Sequence, residues 1–218
     1  MKNFTVIFDM DGTLVDNTPY HYKSWQAFFK KHNLGNISVQ TYKNTISGVP
    51  IIETMRTLFP GADEEALKNY REEKEVFYRE IYAPFLAPIN GLENFLTELK
   101  DAGIKMAMAS SATMEDIDFI LNKIPIREDF SAIIDGSRVS KGKPNPQIFL
   151  KAASDLNAKP EDCVVFEDSI AGIKAGNAAG MKVVGITTGH PASELQPSSL
   201  VINDYTEVTV QQLAELFE

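Results

Sequence analysis

The chain has 218 residues, 44% of them hydrophobic and 23% charged, with a formal net charge of −9. That content fits a soluble globular protein of one large domain, or of one domain carrying a smaller insert. The acidic balance argues against nucleic acid or an anionic membrane as a partner, the single Cys163 excludes an internal disulfide and a cysteine-based zinc cluster, and no apolar run reaches the ~18–20 residues that span a bilayer.

The opening "MKNFTVIF" has one lysine and no small-residue cleavage site, so no secretory signal is expected and a cytoplasmic location is. "FTVIF" reads as a buried strand, and it ends abruptly in Asp9, with Asp11 just beyond. Residues 17–83 then break the pattern with helical stretches. "HYKSWQAFFKKHNLG" places Trp25, Phe28 and Phe29 at helical spacing and predicts a stop at Gly35. "PIIETMRTLF" and "EEALKNYREEKEVFYREIY" continue in helical style, and Pro84 and Pro88 mark the return to strand and helix. "GLENFLTELKDAG" puts Leu92, Phe95, Leu96 and Leu99 on one face, with Gly103 as the stop. Four further apolar runs follow, "IKMAMAS", "AIID", "CVVFED" and "KVVGIT", with the helical patterns "NPQIFLKAASDLNA" and "DSIAGIKAGNAAGM" among them. Strand alternating with helix predicts an α/β fold, a doubly wound parallel sheet of Rossmann type. The expected division is a core of 1–16 and 84–218 and a small all-helical domain of 17–83.

Ligand sites of open parallel sheets lie beyond the carboxyl ends of the strands. There the sequence places Asp9 and Asp11, Ser110 and Ser111, and Glu167 and Asp168, with Lys141 and Lys143 in the intervening "KGKPNP". The paired carboxylates repel unless a cation lies among them, and a hard divalent ion such as Mg2+, which binds through one or two carboxylates beside phosphate, is the economical solution. A lysine and a serine hydroxyl at the same edge suit an oxyanion. Asp9 beside a metal stays ionised and can attack phosphorus, whereas a negative neighbour and an incoming phosphate favour the protonated form of Asp11, as a general acid needs. Gly12 permits the tight turn that follows.

Four motifs in order, "DMDGT", "MAMAS", "KGKPNP" and "VVFEDS", resemble those of the haloacid dehalogenase superfamily of phosphotransferases. The likeness spans essentially the whole chain, and residues 17–83 resemble that family's small helical cap. Through "YHYKSW" and "EDSIAGIKAGNAAGM" the chain is similar to the beta-phosphoglucomutase and small sugar-phosphatase branch. The resemblance implies that Asp9 is the nucleophile, Asp11 the acid/base, Ser110 a donor to the phosphoryl oxygens, and Lys143 the cation that neutralises them. It implies Mg2+ held by Asp9, Asp168 and the backbone carbonyl of Asp11, with Glu167 either a further ligand or a support. Lys141, which does not directly precede a proline, is read as a solvated charge. Gly12, Thr13, His21, Trp25, Gly48, Val49, Lys74 and Ser111 are the candidate substrate contacts. Lys74 lies in the charged stretch "REEKEVFYRE", which reads first as a solvated face, and the aromatic stripe of Trp25, Phe28 and Phe29 reads first as packing between helices.

The chain departs from the mutase pattern where that pattern carries an arginine for the substrate's second phosphate. The position is Ile51 here, no basic residue lies between Asn44 and Thr54, and Asn17 and Met114 also replace residues usual in the mutases. The expectation is therefore a Mg2+-dependent, monomeric phosphatase of a small phosphorylated metabolite, a sugar phosphate. A beta-phosphoglucomutase, an inorganic pyrophosphatase and a non-catalytic binding protein are the alternatives.

Overall fold

The computed structural model describes residues 4–46 and 49–218. The chain divides into two compact units, one of Met1–Asp16 and Ala87–Glu218, the other of Asn17–Leu86.

The elements in chain order are β1 (Thr5–Phe8), α1 (Thr18–Lys31), α2 (Val39–Thr45), α3 (Ile51–Leu58), α4 (Glu64–Tyr82), α5 (Leu92–Asp101), β2 (Met106–Ala109), α6 (Met114–Leu121), β3 (Ala132–Ile134), α7 (Gln147–Asp155), β4 (Cys163–Glu167), α8 (Ile170–Ala178), β5 (Lys182–Ile186), β6 (Leu200–Ile202) and α9 (Val210–Glu215). The six strands form one all-parallel sheet in the order β3-β2-β1-β4-β5-β6. This is the predicted doubly wound α/β architecture. No helix among the described residues is long and apolar enough to cross a membrane.

Strands buried on both faces read as continuous apolar runs, and β1, β2 and β4 do so because α-helices cover both sides. The pleat sends alternate residues to opposite faces. Ile7 and Val165 join the aliphatic layer that Phe149 and Ile173 complete. Phe8 and Phe166 face the other way and stack at 5.0 Å, with Phe95 of α5 edge-on to both. Helix α5 buries the predicted Leu92, Phe95, Leu96 and Leu99. It stops as expected: Gly103 adopts φ +69°, its amide bonds to Lys100 O at 2.9 Å, and Ile104 N bonds to Leu99 O at 2.9 Å, a Schellman closure. Strand β6 was not predicted, because three apolar residues between "PSS" and "ND" carry no periodic signal.

The helical unit packs Trp25, Phe28, Tyr42, Met55 and Leu67 into a core of its own. Helix α1 ends at Lys31, four residues before the expected stop. Asn33 takes the left-handed conformation at φ +54°, and Leu34 N returns to Phe29 O at 3.0 Å. Asparagine is the non-glycine residue that tolerates this geometry, so the chain closes the helix before Gly35 is reached. Lys74 is not on a solvated face. It shares the buried side of α4 with Leu67, Tyr78 and Tyr82 and is 1% exposed.

Candidate active site

Asp9, Ser110 and Asp168 each stand immediately after the last residue of β1, β2 and β4. The strands are in register, Phe8 opposite both Met108 and Phe166, so these ends share one edge of the sheet. Lys143 reaches the same point from the segment before α7. Its Nζ lies 2.6 Å from Asp9 Oδ1 and 2.6 Å from Glu167 Oε1, and its side chain is 9% exposed. The stem passes Phe149, with the ammonium 4.9 Å from the ring centroid.

Glu167 is held at both oxygens: Lys143 donates to Oε1, while Ser169 N and Ser169 Oγ donate to Oε2 at 2.8 and 2.9 Å. Asp9, Glu167 and Asp168 are all buried and present ligand oxygens within 4.8 Å of one another. Three carboxylates and one ammonium leave a formal charge of −2 in a dry pocket. The consequence is visible in their acidities. Burial, with the charges of Glu167 and Asp11, raises the Asp9 carboxyl to about 7 although Lys143 pulls it down. Burial, with Glu167 and Asp9, also pushes Asp168 well up. Burial works against the charge of Lys143, yet Asp9 and Glu167 outweigh it and hold the ammonium above the ordinary lysine range. A set of buried oxygen donors with excess negative charge fits a hard divalent cation.

Three glycines shape this pocket by what they lack. Gly12, at φ +73°, could not carry a side chain without strain, and a Cβ there would fall 2.1 Å from Asp168 Oδ2. A Cβ at Gly189 would fall 2.3 Å from the same oxygen, and one at Gly172 would fall 1.7 Å from Glu167 Oε1. The sequence singled out Gly12; Gly172 lies within "EDSIAGIKAGNAAGM" but was given no role there, and Gly189 belongs to no motif it used.

The remaining core candidates lie nearby in the chain. Asp11 is partly exposed beyond β1, and Thr13 is fully buried with its hydroxyl unpartnered among the described residues. Ser110 is buried, and its Oγ accepts from Ala112 N at 3.0 Å; Ser111 and Lys141 are exposed. In the helical unit, Lys74 Nζ lies 3.1 Å from His21 Nδ1 and 3.3 Å from the Glu75 carboxylate. An ammonium only donates, so Nδ1 is the acceptor. The His21 ring stacks on Tyr78 at 4.1 Å, and Lys74 stands 5.7 Å from the Trp25 ring, which is itself 3% exposed and packed on Phe28. Val49 is exposed at 41%, and Gly48 lies outside the described residues.

Three comparisons bear on this arrangement. Residues 6–186 match the family model of the haloacid dehalogenase-like hydrolases. The beta-phosphoglucomutase of Bacillus subtilis (strain 168) is 32% identical over 224 residues, which cover 98% of this chain and 95% of that protein. The phosphorylated carbohydrates phosphatase of Thermotoga maritima is 29% identical over 178 residues, covering 81% and 82%. Among solved structures, a HAD hydrolase of family IA, variant 3, from Entamoeba histolytica HM-1:IMSS superimposes with a TM-score of 0.91 at 29% identity, covering 98% of this chain and 99% of that one. With buried carboxylates and a lysine gathered at one sheet edge, and this family's pattern running through the chain from β1 to β5, the protein is an enzyme of the haloacid dehalogenase-like hydrolase family.

Proposed function

We propose that the chain is a Mg2+-dependent phosphatase of a small phosphorylated metabolite, a sugar phosphate, working through a covalent phosphate on Asp9. The observation that carries this reading is the Lys143 ammonium set between Asp9 and Glu167 at 2.6 Å from each, inside a pocket that is still short of positive charge. Such a pocket accepts a phosphoryl group and a cation together. Asp9, Asp168 and the Asp11 carbonyl would hold the ion, whose chemistry is to neutralise the phosphoryl oxygens and keep Asp9 ionised. With both its oxygens already taken, Glu167 is read as the support that aims Lys143.

An Asp9 oxygen bonds to phosphorus as the ester bond breaks, and Asp11 gives its proton to the leaving oxygen. Asp11, now a carboxylate, takes a proton from water as that water attacks phosphorus, and the Asp9–phosphorus bond breaks. Inorganic phosphate leaves and Asp9 is restored. Lys143 and Ser110 bind the phosphoryl oxygens throughout. Residues 17–83 are read as a substrate-selecting cap inserted into a catalytic core of 1–16 and 84–218, in a monomeric, cytoplasmic enzyme.

Discharge to water rather than to a second sugar hydroxyl is favoured by the helical unit. Ile51 packs against its apolar core. Arg56, one of the two cations that flank the loop with Lys43, is already committed to Glu53 at 2.6 Å and to Glu64 at 2.9 and 3.0 Å. The beta-phosphoglucomutase reading is kept as second because the mutase of B. subtilis matches over nearly the whole chain. The test is a panel of phosphorylated metabolites with Mg2+ or EDTA, including beta-glucose 1-phosphate with trace glucose 1,6-bisphosphate. Release of phosphate that chelator abolishes, and that Asp9→Asn lowers by roughly a thousandfold or more, is expected. Formation of glucose 6-phosphate with little free phosphate would establish the mutase instead.

A further inference from the structure

The turn that carries Asp11 is held at three successive carbonyls by three later parts of the chain. Gly12 O accepts from the Thr188 hydroxyl, Thr13 O from the Tyr205 hydroxyl at 2.9 Å, and Leu14 O from the Ile89 amide at 2.9 Å. Within the turn, Gly12 N reaches Val15 O and Leu14 N reaches Met10 O, both at 2.8 Å.

Tyr205 is built for this contact. It is 2% exposed, and its ring lies 5.5 Å from Phe95, 5.6 Å from Phe166 and 6.2 Å from Phe8. Those rings fix the direction of the hydroxyl. Its backbone is fixed as well, because Tyr205 N donates to Asn90 O at 3.0 Å and Asp204 Oδ1 caps the following turn through Thr206 N at 2.9 Å. Gly91 leaves room for that turn, since a Cβ there would lie 2.8 Å from Thr206 N. Burial, with the charges of Asp9 and Asp168, keeps the phenol well above its ordinary range, so it remains a donor.

We infer that Tyr205, seconded by Thr188, is a positioning residue that sets the catalytic turn by anchoring the carbonyls of Thr13 and Gly12. Both lie beyond residues 6–186, the stretch matched by the family model. Anchoring a carbonyl fixes the peptide plane that it belongs to, here those of Gly12–Thr13 and Thr13–Leu14. Two adjacent anchored planes immediately beyond Gly12 limit how far the turn next to Asp11 can shift, and a displacement near 1 Å in an active site costs on the order of 10²-fold in rate. The kinetic consequence rests on the phosphatase reading; the setting of the turn does not.

The experiment compares Tyr205→Phe and Thr188→Val with Leu213→Val, a change at a buried position of α9 in the same C-terminal region that removes none of the turn's hydrogen bonds. Amide hydrogen exchange at Gly12, Thr13 and Leu14 in the full-length, metal-free chain reads the turn directly. At least tenfold faster exchange is expected for Tyr205→Phe, a smaller acceleration for Thr188→Val, and none for Leu213→Val. With Mg2+ and the best substrate of the metabolite panel, assayed below all melting points, kcat should fall about tenfold in Tyr205→Phe with KM within twofold. Leu213→Val should keep kcat despite a lower melting temperature. Unchanged turn exchange in Tyr205→Phe, equal acceleration in Leu213→Val, or faster exchange with an unchanged kcat would each overturn the inference. If the wild type turns over no phosphate ester, the phosphatase reading fails and the exchange result alone decides.

Discussion

Each of the two units buries a lysine, and on opposite terms. Lys143 in the sheet unit meets charge with charge, two carboxylates at 2.6 Å and a third close by. Lys74 in the helical unit, 2% exposed along its side chain, has within that unit the Glu75 carboxylate at 3.3 Å, the His21 imidazole at 3.1 Å and the faces of Trp25 and Tyr78. The first arrangement is a balance that removing one member upsets. The second is closer to packing, with the charge eased by polarisable rings. A buried lysine is therefore informative through its partners and not through its burial.

The strongest way to break this comparison is to replace both lysines by methionine. Lys143→Met leaves three carboxylates without their cation, and breaking a buried ion pair costs about 3–5 kcal/mol. Activity should fall by about 10³-fold, since a charged phosphoryl donor is lost with it. Lys74→Met substitutes a residue of similar length among rings and strands one carboxylate, Glu75, where Lys143→Met strands several, so a smaller loss of stability is expected. Urea unfolding of the two variants in EDTA at pH 7 reads the contrast, and equal losses would abolish it.

A finer test concerns atoms that are absent. Gly172→Ala would press a methyl group into the Glu167 carboxylate, where a Cβ has only 1.7 Å. Glu167 must then move, and Lys143 with it, so a loss of about 10- to 100-fold in kcat is expected. In the helical unit, Gly61 has nothing within 4 Å of its Cβ position. Gly61→Ala should stay within about 0.5 kcal/mol of wild type and keep full activity. A fully active Gly172→Ala would show that Glu167 has slack that the packing does not suggest.

The smallest effect is on pH. Asp9 titrates at about 7 in the folded chain against an ordinary 3.8. Between those values the native state binds more protons than the unfolded chain, so its contribution to stability falls as pH rises through this window. Melting curves in EDTA at pH 5 and pH 7.5 should show a loss of a few degrees that Asp9→Asn reduces. Protons compete with the cation for the same oxygens, so the Mg2+ affinity should tighten as pH rises through about 7. An Asp9→Asn variant with the wild-type slope would place the excess protons elsewhere.

How much of this the sequence revealed follows the same division. Asp9, Ser110, Glu167 and Asp168 were legible because each ends or follows a strand that announces itself by its apolar run, and a parallel sheet brings strand ends to one edge; Lys143 was legible through "KGKPNP". Lys74 was not legible as buried. Charges at neighbouring positions of α4 mask the stripe of Leu67, Lys74, Tyr78 and Tyr82 that the helix turns inward. Thr188 and Tyr205 gave no signal at all. Their partners lie 176 and 192 residues away, and no local pattern encodes contact at that range. Gly172 and Gly189 are informative through the space they leave, which the sequence does not record.

The placement of β1 has a consequence for how the chain comes to fold. It precedes both of its neighbours in the chain and lies in the middle of the sheet, where Val6 pairs with Met106 on one side and Val164 on the other. The whole helical unit is synthesised between β1 and its nearer partner. Local helices close quickly and distant strand pairs slowly, so the helical unit can complete itself while β1 waits with its apolar residues uncovered. On a ribosome the strand that leads to Asp9 thus emerges before the strands that flank it and is among the last to be satisfied. Assembly of the site therefore closes the folding sequence, and a chain halted before residue 163 would hold Asp9 without Glu167 or Asp168 to set it.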